Sequence, residues 1–553
     1  MHDRSGEIRS TRAPALREDQ TEILGRYGTT RMTEAGQVLF RAGDTQNDFV
    51  VVLEGEVEMI DDFAGEARTM GVMRPGRFVG DLNMLTGQPI YLSAVVRVGG
   101  EVLAISRERL KEVVTEEPNL SDIILKAFLA RRAWSVRTGL GLRIIGSRHS
   151  GDATRLRGFA ARNRLPHVWI ELEEDPGVEA LLEGFGTDAS ETPVTIWQDK
   201  HVLKNPTNAE LARAIGLKVD VPRKRTYDLV VVGAGPAGLG AAVYGASEGL
   251  STLVLESTAL GGQAGTSSRI ENYLGFPAGL SGFELASRAL IQADKFGTQT
   301  AVPQEAESVN REGYDYRIGL SEAGEVVARS VIAASGARYR RLDLPGLERF
   351  EGVSVHYAAT QAEAQPFEGE EVAVVGGGNS AGQAALFLAA RTRRVYLLVR
   401  GHDLGKGMSS YLVDRVADAE NVALLANTEV RELVGEDRLE GVVVEDNRSG
   451  ARWTLGAKAL FVFIGAEANT SWLRGAVELD ERGFVITGGE ISRSEVGGDA
   501  WRKLLREPYL LETSLPGVFA AGDVRSGSIK RVASAVGEGD MAVRLVHQYL
   551  ADT

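Results

Sequence analysis

There is no cysteine among the 553 residues of the chain. That single absence removes disulfides, thiolate nucleophiles and iron–sulfur ligation together. No apolar run approaches the roughly 20 residues needed to cross a bilayer. The start, Met1-His2-Asp3-Arg4-Ser5, lacks the apolar core of a secretory signal, so a cytoplasmic location without a membrane partner is expected. Positive charge is in deficit: 62 Lys and Arg against 76 Asp and Glu leave a net charge of −14. That balance argues against nucleic acid as the main partner, because binding phosphates along a strand needs clustered positive charge. Small anionic ligands stay open, since helix N-termini bind them whatever the net charge. Internal repeats and low-complexity tracts are also lacking.

What is present belongs to a globular chain, with 43% hydrophobic and 25% charged residues. The length predicts about three or four domains. Residues 15–138 read as short alternating strands with glycine turns, followed by a helix from Pro118 to Thr138. Residues 140–217 show a compact α/β pattern, with a strand at Leu142 to Gly146 and another after Pro193. A basic and polar linker around Pro222 follows. From Tyr227 onward strands alternate with helices, which implies parallel sheets. The predicted fold class is multidomain α/β and β, with one β jellyroll, one small α/β domain and two Rossmann-like dinucleotide-binding domains.

Many of the 65 glycines fall in phosphate-loop patterns. The apolar strand before Gly233 runs into Gly233-Ala-Gly235-Pro236-Ala237-Gly238. In such a loop the first glycine makes the tight turn, the second admits a pyrophosphate and the third lets the helix pack on the strand. The second strand ends in Glu256, placed to hold adenosine ribose hydroxyls. A second unit follows with Gly376-Gly-Gly378-Asn379-Ser380-Ala381 after the strand from Glu371. Its second strand ends in Arg400 instead of an acid, which favours the 2′-phosphate of NADP over the free hydroxyl of NAD.

These features, with Gly261-Gly262-Gln263, Glu271-Asn272-Tyr273, Ser335-Gly336-Ala337-Arg338, Ile464-Gly465-Ala466 and Leu515 to Val524, resemble the low-molecular-weight thioredoxin reductase family. The resemblance implies FAD bound by residues 227–340 and 463–553, and NADPH bound by an inserted domain, 341–462. It implies that Asp523, after Gly522, binds the ribityl chain. It implies too that Arg531-Val532-Ala533 aim a helix N-terminus at the flavin, and that Gln263 and Asn272 meet its polar edge. Where the family carries a Cys-Ala-Thr-Cys pair, this chain has Gly352 to Gln361 without sulfur, and thiol–disulfide exchange needs a thiolate. His356 and Tyr357 are the candidates for a position near the flavin, where they tune it, donate a proton or fill vacated space. No acid–base pair, nucleophile or metal site is expected.

The small α/β domain resembles a thioredoxin or glutaredoxin fold. Ser147-Arg-His-Ser150 stands where such folds place Cys-x-x-Cys, and Thr192-Pro193 matches their cis-proline loop. A helix N-terminus lowers a thiol's pKa but gives a serine hydroxyl no comparable reactivity, so the serines read as a helix cap. The first domain resembles a cyclic-nucleotide-binding domain through Gly36, Gly43-Asp44, Gly55 and Gly76 to Asp81. Asp81 stands at the ribose-binding glutamate's place and Leu92 at that of the phosphate-binding arginine. Losing that charge-assisted contact costs about 1.5–3 kcal/mol, which Arg97 would have to replace, so cyclic nucleotide is a doubtful partner.

Two functions follow as expectations. One is an NADPH-dependent FAD oxidoreductase that passes electrons to an unidentified acceptor, protein or small molecule, and acts as a homodimer. The other is a redox or nucleotide sensor with slow or incidental turnover. For the first, NADPH is expected to reduce the bound flavin faster than NADH in stopped-flow absorbance. Equal rates would remove the argument from Arg400.

Overall fold

A computed structural model describes residues 14–553 other than 46, 62–67, 87, 139–140, 149, 176, 198–200, 218–219, 222–225, 268–269, 271–272, 323, 352, 358, 360, 406, 437, 493–500, 502–503 and 505. The chain divides into two compact units. One comprises Met1–Ser147, Leu156–Val221 and Leu290–Gln304; the other comprises Arg148–Arg155, Pro222–Ala289 and Glu305–Thr553.

In the first unit, β-branched and aromatic runs between glycine turns build two antiparallel sheets. One has the order Thr29–Thr33, Gly100–Ile105, Phe49–Val52, Phe78–Val79, and the other Val38–Phe40, Ser93–Val98, Glu56–Asp61, Arg68–Met73. All four residues of Phe49–Val52 are buried, so both faces of this strand are covered. The ring of Phe49 lies 5.0 Å from Phe78 and 6.2 Å from Phe128, which helix Pro118–Thr138 brings into the cluster. A four-stranded mixed sheet follows, ordered His167–Glu171, Leu142–Gly146, Val194–Trp197, His201–Lys204. Its first two strands are parallel and the last two antiparallel, and the Thr192–Pro193 bond is cis. The edge strand His201–Lys204 and the helix Val178–Gly184 lack a clear period and were missed in the sequence.

The second unit holds two parallel sheets. In the first, Thr252–Leu255, Leu229–Val232, Val331–Ala333 and Val518–Ala520 lie side by side in that order. The chain leaves after Ala333, builds the second sheet, and returns at Val518. That second sheet runs Val355–His356, Ala459–Val462, Glu371–Val375, Arg394–Val399, Val422–Ala426. The inner strands Leu229–Val232 and Ala459–Val462 are buried throughout and read as unbroken apolar residues, as strands covered on both faces do.

Helix Pro236–Ser247 packs against the last helix, Val532–Asp552. Small residues allow it: a Cβ on Gly539 would stand 2.2 Å from Ala237 O, whereas one on Gly537 would meet nothing within 4 Å. Gly539→Ala is therefore expected to lower the thermal midpoint, with an overpacking cost of about 1–3 kcal/mol. Gly537→Ala, one turn-face away, should be neutral or raise it, since alanine suits a helix better than glycine by roughly 0.5–1 kcal/mol. Thermal unfolding of the two variants side by side checks this.

Candidate cofactor-binding site

The strand Leu229–Val232 ends at Gly233, whose φ of +108° suits only glycine and whose Cβ would stand 2.2 Å from Ala334 O. A Cβ on Gly238 would stand 1.8 Å from Gly233 O, so the helix sits directly on the turn. Gly235 is different. Its Cβ would meet nothing nearer than Gly262 Cα at 3.9 Å, and its φ of −72° is open to any residue. The protein itself leaves room there, and that clearance fits a pyrophosphate. Pro236 fills the first helical position, where a missing N–H costs nothing. No side chain caps this end, so the amides of Ala237 and Gly238 are placed to donate to a phosphate.

Glu256 ends the neighbouring strand and is tied into the turn. Its Oε2 accepts from Ala234 N at 2.9 Å, and its Oε1 from Thr258 N at 2.9 Å and Ala259 N at 3.4 Å. Burial pushes its carboxyl up, and these backbone amides oppose the shift. The Ser257 hydroxyl also bonds this carboxylate, so a ribose hydroxyl here shares an oxygen that already accepts or displaces Ser257. Gln263, beside Gly262, donates through Nε2 to Ala337 O, and Gly336 O accepts from Asn469 N at 2.9 Å. Asn272 lies outside the described residues.

Asp523 sits in the turn Gly522–Val524. Burial pushes its carboxyl up and Lys530 pulls it down, while Glu538 adds to the rise. Glu538 was not singled out from the sequence, yet it shapes this turn. Its Oε2 accepts from Gly522 N at 2.7 Å, and its Oε1 from Arg525 Nη2 at 2.6 Å. An acid flanked by Gly537 and Gly539 was the available signal. Arg531 is the exposed N-cap of the helix that begins at Val532 and Ala533, again without a side-chain cap. The residues present thus fit a flavin dinucleotide: glycine clearance, free helix amides, an acid for a ribose and an acid for a polyol.

The second cradle repeats the geometry. Gly376 turns the chain with a Cβ position 2.3 Å from Phe463 O. Gly378, N-cap of helix Asn379–Ala389, is open, its Cβ position 3.7 Å from Gly407 O. Asn379 Oδ1 accepts from Ser409 N at 2.7 Å and so fastens the following loop beside the cradle. Ser380 is exposed and Ala381 buried. Arg400 ends its strand exposed, and its carbonyl accepts from Asn447 Nδ2 at 2.9 Å. Gly465 O accepts from Arg340 N at 2.9 Å, where the chain crosses between the two folds.

His356 belongs to the edge strand of the second sheet. Its ring lies 5.3 Å from Phe461 and 5.7 Å from Phe367, within that domain's core. Tyr357 Oη donates to Glu351 Oε1 at 2.5 Å, and burial raises its pKa against the pull of Arg341. In the small α/β domain Ser150 Oγ accepts from Ala153 N at 3.2 Å at the start of helix Gly151–Arg162, and Ser147 donates to Glu173. Arg97 is exposed, with Glu56 3.9 Å away. Among the described residues no group of three or more His, Asp or Glu is placed to hold a metal.

Two dinucleotide folds, the second inserted in the first, define an oxidoreductase that joins two nucleotide cofactors. Residues 227–539, more than half of the chain, match the pyridine nucleotide-disulphide oxidoreductase model, and the chain belongs to that family. Residues 30–117 match the cyclic nucleotide-binding domain model. The chain is 34% identical over 324 residues to the thioredoxin reductase of Treponema pallidum, covering 59% of this chain and 97% of that one. It is 32% identical over 327 residues to a 34.2 kDa protein in the rubredoxin operon of Clostridium pasteurianum, covering 59% and 98%. The structure of Lactococcus lactis thioredoxin reductase in its FR conformation aligns with TM-score 0.53 at 27% identity, covering 59% of this chain and all of that one.

Gly235→Val is expected to leave the fold intact and abolish flavin retention, because its side chain enters clearance the protein does not use. Flavin absorbance per mole of purified protein, with circular dichroism as the folding control, checks it.

Proposed function

We propose that the chain is an NADPH-dependent FAD oxidoreductase that passes electrons to an acceptor other than a dithiol of its own. The observation that carries this is the pairing of two complete dinucleotide cradles with a chain that contains no cysteine. Hydride transfer is chemistry that the cofactors supply when bound. What the protein's residues contribute is binding and orientation: Gly235, Ala237, Gly238, Glu256 and Asp523 for FAD; Gly378, Asn379, Ser380 and Arg400 for NADPH. Preference for NADP over NAD rests on Arg400, whose exposed guanidinium at the strand end suits a 2′-phosphate.

The proposed domains are 15–138, 140–217, 227–340 with 463–553, and 341–462. The two four-stranded antiparallel sheets support a jellyroll for the first. The strand order and directions of the second support a thioredoxin-like fold in which Ser150 caps a helix. A homodimer in the cytoplasm completes the proposal. Among the described residues no helix is long and apolar enough to cross a membrane.

Steady-state NADPH oxidation with artificial acceptors such as quinones or ferricyanide tests the reading. Rapid turnover is expected; flavin that reduces with negligible turnover would favour a redox sensor. Arg400→Ala is expected to raise KM for NADPH about tenfold or more, the scale of a lost charge-assisted phosphate contact, with little change for NADH. An equal rise for both nucleotides would place Arg400 outside phosphate recognition.

A further inference from the structure

The segment Asp81–Tyr91 of the β-roll surrounds the short helix Asn83–Thr86. Each amide of that helix already has a partner within the segment. Asn83 N donates to Asp81 Oδ1 at 2.8 Å, Met84 N to Asp81 O at 3.2 Å, and Leu85 N and Thr86 N to Leu82 O at 3.0 and 3.1 Å. The side chains are engaged too. Asn83 Nδ2 donates to Pro89 O, and Asn83 Oδ1 accepts from Arg132, a guanidinium only 4% exposed. Arg132 also donates to Gln88 Oε1 at 3.2 Å, lies 5.3 Å over the Tyr91 ring, and partly offsets the burial that raises the Asp81 carboxyl.

The same segment reaches the small α/β domain. Arg132 Nη1 donates to Arg164 O at 3.3 Å, and the Tyr91 ring meets Trp197 edge to face at 5.5 Å. Tyr91 is buried in one apolar cluster with Leu142, Ile144, Phe159 and Trp197 of that domain. Two glycines mark how close the approach is. A Cβ on Gly216 would stand 2.6 Å from Pro89 Cδ, and one on Gly141 would stand 2.9 Å from both the Tyr91 and the Trp197 rings.

We propose that Asp81–Tyr91, closed from within by Arg132, is a permanent joint between the β-roll and the small α/β domain and takes no cyclic nucleotide. Withdrawing the Arg132 guanidinium would leave Asn83 Oδ1, Gln88 Oε1 and Arg164 O without their donor inside the fold. The amides of the short helix would have to give up existing bonds to receive a phosphate. The β-roll therefore serves as a mount that holds its neighbour through Tyr91 and Trp197, independently of what the reductase unit does.

Hydrogen exchange on the intact flavoprotein tests this. With Tyr91→Ala, exchange in the neighbouring domain's strands Leu142–Gly146 and Val194–Trp197 is expected to quicken by about tenfold or more, while Leu229–Val232 is unchanged. Unchanged exchange in those two strands would overturn the joint. The reciprocal Trp197→Phe should quicken exchange in Ser93–Val98, and its failure to do so counts equally against it. The wild-type protein alone provides the remaining arm: millimolar cyclic AMP or cyclic GMP is expected to leave exchange across residues 78–94 unaltered. Saturable protection there overturns the proposal even if neither variant folds.

Discussion

The seating of helix Pro236–Ser247 on the Gly233 turn is the contact from which the flavin cradle is built. With Gly238 pressed against Gly233 O, the helix axis is fixed relative to the strand, and its N-terminal amides point where the strand ends. The last helix then packs on the first through Gly539, which brings the Gly522–Val524 turn to the same edge of the sheet. A side chain at either contact would separate elements that must converge on one ligand. The proposed pyrophosphate, ribose and polyol sites thus rest on two close backbone approaches.

Around that frame the part-buried acids are held by fixed donors. Glu256 is surrounded by amides of its own turn, and Glu538 joins the Gly522 amide to Arg525. Fixed donors of this kind hold a carboxylate in place before a ligand arrives, so that little reorganisation accompanies binding. Arg400 is left exposed at the end of its strand in the second fold.

In the first unit the polar groups of Asp81–Tyr91 point inward and across to the next domain. Arg132, from helix Pro118–Thr138, is the residue that fills that segment.

The sequence by itself determined the two dinucleotide folds, because a parallel strand, a glycine turn and a helix leave local signals in register, from Gly233 to Glu256 and from Gly376 to Arg400. It also determined that the chain supplies no thiol of its own. The helix caps at Ser150 and Gly378 were readable for the same local reason. Tertiary structure decided what depends on residues far apart in the chain. It set the His356 ring between Phe367 and Phe461, placed Glu538 beneath the Gly522 turn, and filled Asp81–Tyr91 with Arg132. Those contacts carry no periodicity and no spacing, since they arise only when sheets and helices pack.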